Sequence, residues 1–299
     1  MKGITIFYFS GTGNSFYVAR KIAERMEGEL IPIVLLDNSE NIELSTEITG
    51  IVYPDYHSSL PNIVKRFINR LVGLEGKYIF GVCTYAGAGP GLAITYLREL
   101  IELKGGNLAA GFAVRMPYNY IVPTFKFGNP IIQVKLKPDS KELKRKKFLE
   151  CENSLKEIVD YVEQRRTGIF ESSGELLLKI IDKLRLKDSL GTYMWMRIAG
   201  YSGETYEEFS ENWPLMDHGF LVDDTCTSCR TCERVCPVNN IIMKENKPSW
   251  KHECEQCFAC LQWCPQSAIQ FGNYTRLDQR YHHPEVDVSD LFLDERISK

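Results

Sequence analysis

Near the C-terminus, one cysteine pattern occurs twice: Cys226-x2-Cys229-x2-Cys232-x3-Cys236-Pro237 and Cys254-x2-Cys257-x2-Cys260-x3-Cys264-Pro265. The two copies take eight of the ten cysteines. Three thiolates in a short loop can bind three corners of one cubane, while the more distant fourth crosses to the cluster of the other copy. This spacing predicts two 4Fe–4S clusters. Cluster one takes Cys226, Cys229, Cys232 and Cys264; cluster two takes Cys254, Cys257, Cys260 and Cys236. The copies begin 28 residues apart, at Cys226 and Cys254, with Pro237-Val238 and Pro265-Gln266 in equivalent places. That offset reads as an internal duplication with pseudo-twofold symmetry. Zinc sites more commonly show paired C-x2-C knuckles without a third cysteine in the run. A disulfide framework needs an oxidising compartment, which nothing in the sequence announces.

At 299 residues the chain is long enough for two domains and a full core. Its 44 % hydrophobic and 25 % charged content is that of an ordinary soluble protein. A net charge of −3 offers no electrostatic case for nucleic acid or an anionic membrane. Met1 to Phe7 is too short an apolar stretch for a signal peptide. Tyr78 to Leu97 is uncharged, but Gly87, Gly89, Pro90 and Gly91 interrupt it, so strand–loop–helix is expected there and no membrane span. A reducing cytoplasm, where thiolate clusters survive, is the expected location.

The N-terminal half alternates strand and helix. Ile4 to Phe9 has the β-branched and aromatic character of a buried parallel strand, and residues 16–23 have helical apolar spacing. Between them lies Ser10-Gly11-Thr12-Gly13-Asn14-Ser15. Hydroxyls, an amide and glycine N–H groups at a helix N-terminus form a phosphate cradle of neutral donors. The alternative is a tight strand–helix connection capped by Asn14 or Ser15. The loop has no lysine and only two glycines, which argues against a P-loop NTPase and against the dinucleotide fingerprint. Further strands are expected at Glu29–Leu35, Ile48–Tyr53, Lys77–Thr84 and Asn107–Val114, with helices near 61–73 and 91–104. This is α/β alternation and a doubly wound parallel sheet; were its order the flavodoxin-like 2-1-3-4-5, an FMN would sit at the switch point between the first and third strands.

On Ser10, Thr12, Gly13 and Ser15 the chain resembles flavodoxins, whose phosphate loop has the form [ST]-x-T-G-x-[ST]. The resemblance implies that Ser10, Thr12, Asn14, Ser15 and the Gly11 and Gly13 backbone bind the FMN phosphate. It also implies that loops 54–58 and 84–89 flank the isoalloxazine, through Pro54, Asp55 and Tyr56 and through Thr84, Tyr85, Ala86, Gly87 and Gly89. The second loop lacks a tryptophan, and the third lacks the acidic residues common in carrier flavodoxins. Strand-end packing is the competing role for Tyr53 and Tyr85.

Past the fifth strand, Asn119 could reach the flavin edge or serve as a turn amide. Residues 140–166 read as one long helix. Its basic run of Lys141, Lys144, Arg145, Lys146 and Lys147 reads as a solvated face, with docking of an acidic partner as the sharper alternative. Leu176, Leu177, Ile180, Ile181 and Leu184 form a core stripe, and Tyr193 to Met196 with Trp213 could cover a cofactor or the face of a homodimer. Cys83 and Cys151 read as inert buried thiols, His57 as a loop histidine, and His282 and His283 as part of a tail packing on the body.

As a whole the chain resembles the flavodoxin/ferredoxin fusion proteins of anaerobic bacteria and archaea. The resemblance implies a flavodoxin-like FMN domain over 1–116, a mostly helical connecting or cap segment over 117–219, a small α+β two-cluster ferredoxin domain over 220–272, and a tail over 273–299. It implies an electron carrier relaying single electrons between two 4Fe–4S clusters and FMN, with ferredoxin-like donors or acceptors as redox partners. The alternative is an FMN-dependent reductase of a small acceptor such as a quinone, nitro compound or oxygen. No constellation for separate acid–base catalysis is evident, and no dinucleotide fingerprint predicts direct oxidation of NADPH.

Overall fold

The computed structural model describes residues 3–37, 39–87, 89–119, 125–127, 132–134, 138–172, 195–197, 199–201, 206–272, 275 and 280–292. The chain divides into two compact units: Met1–Tyr118 with Ser140–Ile180, and Asn119–Asp139 with Ile181–Lys299.

In the first unit five strands form one parallel sheet: β1 Ile4–Tyr8, β2 Glu29–Pro32, β3 Ile48–Pro54, β4 Tyr78–Tyr85 and β5 Leu108–Arg115. Their order is β2-β1-β3-β4-β5, the flavodoxin-like arrangement. The helices are α1 Asn14–Arg25, α2 Asn62–Arg70, α3 Ala93–Leu103 and α4 Lys141–Glu163. α1 packs with α4 and α2 with α3, as a doubly wound sheet requires. The central strands are buried throughout, including Ile6, Ile51, Val52, Phe80 and Val82 at 0 % exposure, which is why they read as continuous apolar runs. The region Tyr78 to Leu97 is strand, loop and helix, and no helix of the described residues is long and apolar enough to cross a membrane.

Two expectations shift. The strand expected over Glu29–Leu35 ends at Pro32, and Ile33–Leu36 forms a 3-10 turn. β2 is an edge strand, where proline is tolerated and pairing is easily abandoned. The helix expected over 61–73 ends at Arg70, because Leu71–Val72 pairs in parallel with Ile42–Glu43. The stripe Leu176 to Leu184, Tyr193 and Met194 lie outside the described residues.

The second unit contains β6 Phe220–Val222 paired antiparallel with β9 Ile269–Phe271, and a hairpin of β7 Ile241–Lys244 and β8 Lys247–Trp250. Its turn residues Glu245 and Asn246 both have positive φ, which matches a hairpin turn to the strand twist. Two four-residue helices, α5 Thr231–Arg234 and α6 Ala259–Gln262, begin inside the two cysteine runs. The duplication is visible in the backbone. Ser228 and Gln256, Arg230 and Phe258, and Asn239 and Ser267 are all left-handed, at φ of 57° and 51°, 62° and 58°, and 50° and 49°. Residues 281–292 close this unit. Tyr281, Leu291 and Phe292 are buried, Arg234 lies over the Phe292 ring, and His282 stacks on Trp263 at 4.2 Å.

Candidate functional site

All five sheet strands run the same way, so the loops leaving β1, β3, β4 and β5 share one edge. There they interlock. The Ser15 and Thr84 hydroxyls are 2.7 Å apart, and Asn14 Nδ2 donates to the carbonyl of Pro117 at 3.4 Å. Asp55 N–H donates to the Thr84 carbonyl at 2.8 Å, and Met116 N–H to that of Tyr85 at 2.7 Å. Within the first loop, Gly13 N–H donates to Ser10 Oγ at 3.1 Å.

Gly13, at φ 93°, occupies the cap position of α1, so no capping side chain covers the first-turn N–H groups. The first turn contains no acidic residue, and Thr12, Asn14 and Ser15 are buried. Twelve residues of helix dipole therefore end at a set of neutral hydroxyl and amide groups, which suits a phosphate and no cation. The 54–58 loop closes tightly: Tyr56 and Ser59 exchange both backbone hydrogen bonds, at 3.0 and 3.1 Å. His57 and Ser58 are left-handed there, and a Cβ on Gly91 would meet Ser58 Cα at 2.8 Å. Only glycine allows these two loops to approach so closely.

Individual residues divide as follows. Tyr53 is fully buried and its hydroxyl donates to the Ala93 carbonyl at 3.1 Å, so it packs the strand end and is no ring-stacking surface. Tyr56 is half-exposed, edge-on to Phe9 at 6.2 Å, and Tyr85 is half-buried. Ala86, Gly87 and Gly89 lie on the described part of the loop after β4; Gly87 is exposed. Asn119 belongs to the second unit, where its carbonyl accepts from Gln262 Nε2 at 2.8 Å. Cys83 and Cys151 are both fully buried, and burial pushes the Cys83 thiol well up. His57 is exposed. The basic run of α4 is not one face. Lys141, Arg145 and Lys146 are exposed, but Lys147 is buried.

In the second unit the eight cysteines surround two cavities. Cys226, Cys229, Cys232 and Cys264 line one; Cys236, Cys254, Cys257 and Cys260 line the other. The fourth cysteine of each run thus reaches the other run's cavity. The thiols ring a space instead of meeting at a point, and among the described residues no group of three or more His, Cys, Asp or Glu converges on a single ion. Backbone donors already face sulfur at equivalent places. Asn240 N–H points at Cys236 Sγ at 3.2 Å, and Ala268 N–H at Cys264 Sγ at 3.3 Å. Gln256, beside Cys257, buries both side-chain amide atoms without a hydrogen-bond partner. Thiol-lined walls with inward donors and an orphaned amide fit 4Fe–4S clusters. Burial pushes the Cys232 and Cys257 thiols up to about 12, so filling either cavity with metal must displace protons.

The cavities differ in surroundings. The first is rimmed by Thr227, Ser228, Arg230, Thr231 and Gln266, with Cys229 exposed. The second is walled by Phe220, Trp250 and Phe258, with Phe220 stacked on Trp250 at 5.1 Å. A buried network fixes the second. Asp217 accepts from Asn240 Nδ2 at 2.8 Å and His252 N at 3.0 Å and faces His252 Nδ1 at 2.6 Å, while Asn240 Oδ1 accepts from Lys251 N and Glu253 N. Sequence reasoning missed Asp217 and Asn240, because three segments far apart in the chain must meet before either has a purpose. Asp217→Ala is expected to cost this unit about 1–3 kcal/mol, since the buried Asn240 amide and two half-buried His252 donors lose their acceptor. Urea denaturation checks this; a loss below about 1 kcal/mol would contradict the role.

One family match falls on the cysteine-bearing segment. Residues 218–265 match the 4Fe-4S dicluster domain family. An uncharacterized protein of Methanocaldococcus jannaschii is 34 % identical over 56 residues, which is 19 % of this chain and 22 % of that one. The chain therefore spans about a fifth of that relative's length. Among solved structures, an azoreductase from Bacillus anthracis is 8 % identical over 55 % of this chain and all of its own, with a TM-score of 0.37. A flavodoxin from the domain Archaea is 16 % identical, covering 54 % of this chain and 99 % of its own, with a TM-score of 0.30. Both scores are below 0.5, so the fold is read from the strand order. The strand order is flavodoxin-like, and the cysteine-bearing segment 218–265 carries the 4Fe-4S dicluster match.

Proposed function

We propose that this protein is a carrier that relays single electrons between redox proteins, holding two 4Fe–4S clusters in residues 220–272 and FMN in the sheet domain of residues 1–116, with 117–219 as connecting segment and 273–299 as tail. The observation that carries the proposal is the crosswise grouping of eight cysteines into two cavities, in a chain whose other unit gathers neutral donors at a parallel-sheet edge. A cluster passes one electron at a time, and FMN stores one or two, so one chain can gather singles into a pair.

The protein's own residues set the order. The exposure of Cys229 and its polar rim support cluster one as the solvent-side cluster, at which a ferredoxin-like partner would dock. Phe220, Trp250 and Phe258 keep water from cluster two, which suits an internal relay. Ser10, Gly11, Thr12, Gly13, Asn14 and Ser15 hold the FMN phosphate, while the loops at Pro54–Tyr56 and Thr84–Gly89 border the ring. Covalent joining spares each transfer a diffusional encounter. In an anaerobic titration, the carrier should exchange electrons rapidly with reduced ferredoxin and show no saturable turnover of quinones or nitro compounds. A finite KM for one small acceptor would favour the reductase reading, and rapid flavin reduction by NADPH alone would contradict both.

A further inference from the structure

Lys147 leaves the solvated face of α4 and enters the inward stripe with Cys151, Leu155, Ile158 and Val162. It is 1 % exposed, and its Nζ donates to the carbonyl of Ala86 at 3.3 Å. Ala86 lies on the 84–89 loop that borders the flavin ring in the reading above. An aliphatic side chain would continue the stripe without the cost of desolvating an ammonium. A positive charge kept in such a place acts on its surroundings with little solvent screening. It can bias an equilibrium only by favouring one of two states. The oxidised ring is neutral, and the ring that has taken up two electrons and one proton is an anion.

We propose that Lys147 is the cationic, potential-setting residue of the flavin site: its ammonium, anchored on the Ala86 carbonyl, favours the reduced anionic ring over the oxidised one. The inference rests on the FMN-binding reading. The electrons come from the protein's own clusters, or from dithionite in the experiment, and the proton comes from solvent. Lys147 forms no bond to the ring.

The test uses the full chain with its clusters and FMN, equilibrated anaerobically with dithionite and redox dyes. In Lys147→Met the preference for reduced over oxidised FMN should fall at least tenfold, read as a two-electron midpoint lower by about 30 mV. Oxidised FMN should bind within about threefold of wild type, and Lys147→Arg should keep the wild-type midpoint within the same margin. A second reading needs no variant: near pH 6 the wild type should take up one proton per two electrons. Uptake of two protons overturns the proposal, as does an unchanged midpoint in Lys147→Met. Equal loss of oxidised and reduced FMN, with riboflavin binding unaffected, also overturns it, since that pattern belongs to a phosphate ligand. A wild-type protein that binds no FMN is a different outcome, which removes the flavin reading and this inference together.

Discussion

Cys264→Ala is expected to remove cluster one and spare cluster two, although Cys264 belongs to the second sequence run. Iron should fall from about eight to about four per chain. The decisive variant is the double change Cys226→Ala with Cys264→Ala. Cys226 and Cys264 line the same cavity, so the double variant should lose no more iron than either single one. Cys236→Ala combined with Cys264→Ala should lose nearly all of it, because those two thiols line different cavities. If instead the Cys226/Cys264 pair empties both sites, the crosswise assignment is wrong. Acid-labile sulfide and low-temperature electron paramagnetic resonance of dithionite-reduced protein give the same count independently.

The second large effect is expected at the phosphate loop. Thr12 is 5 % exposed, in the loop of neutral hydroxyls and backbone amides at the α1 N-terminus. Thr12→Asp places a carboxylate among donors arranged for a dianion. Juxtaposed like charges cost several kcal/mol. The FMN dissociation constant of the apoprotein should rise at least about 100-fold, equivalent to about 2.8 kcal/mol. Riboflavin affinity should change far less, and iron content should stay at the wild-type value because the clusters belong to the other unit. Titration of flavin fluorescence measures both ligands. An unchanged FMN affinity would mean that the loop is only a strand–helix connection.

Much of this was legible because the signals are local. The cysteine spacing predicts which thiols group together, the two cavities are lined in that grouping, and the backbone repeats the 28-residue offset in three pairs of left-handed residues. β3, β4 and β5 fall within a residue or so of where their apolar runs place them, since a parallel strand buried on both faces admits little else. The edge strand β2 was harder than β5 at the opposite edge, whose outer side is bridged by the 169–171 segment. Nothing in Glu29–Leu35 says that pairing stops at Pro32, because a strand at the sheet margin is held on one side only. Lys147 was misread for another reason. Five basic residues in seven suggest a solvated face, yet the spacing of 147, 151, 155, 158 and 162 is the i, i+4, i+8 stripe of a packed helix. The Asp217–Asn240–His252 network had no sequence signal, since its members meet only when the fold is complete.

The most direct measurement is metal, sulfide and flavin analysis of the full chain purified without oxygen, together with its absorption spectrum. About eight iron and eight sulfide per chain with one FMN, in a brown protein whose flavin bands bleach on reduction, is the predicted result. A colourless protein, or one containing zinc and no flavin, would contradict the account.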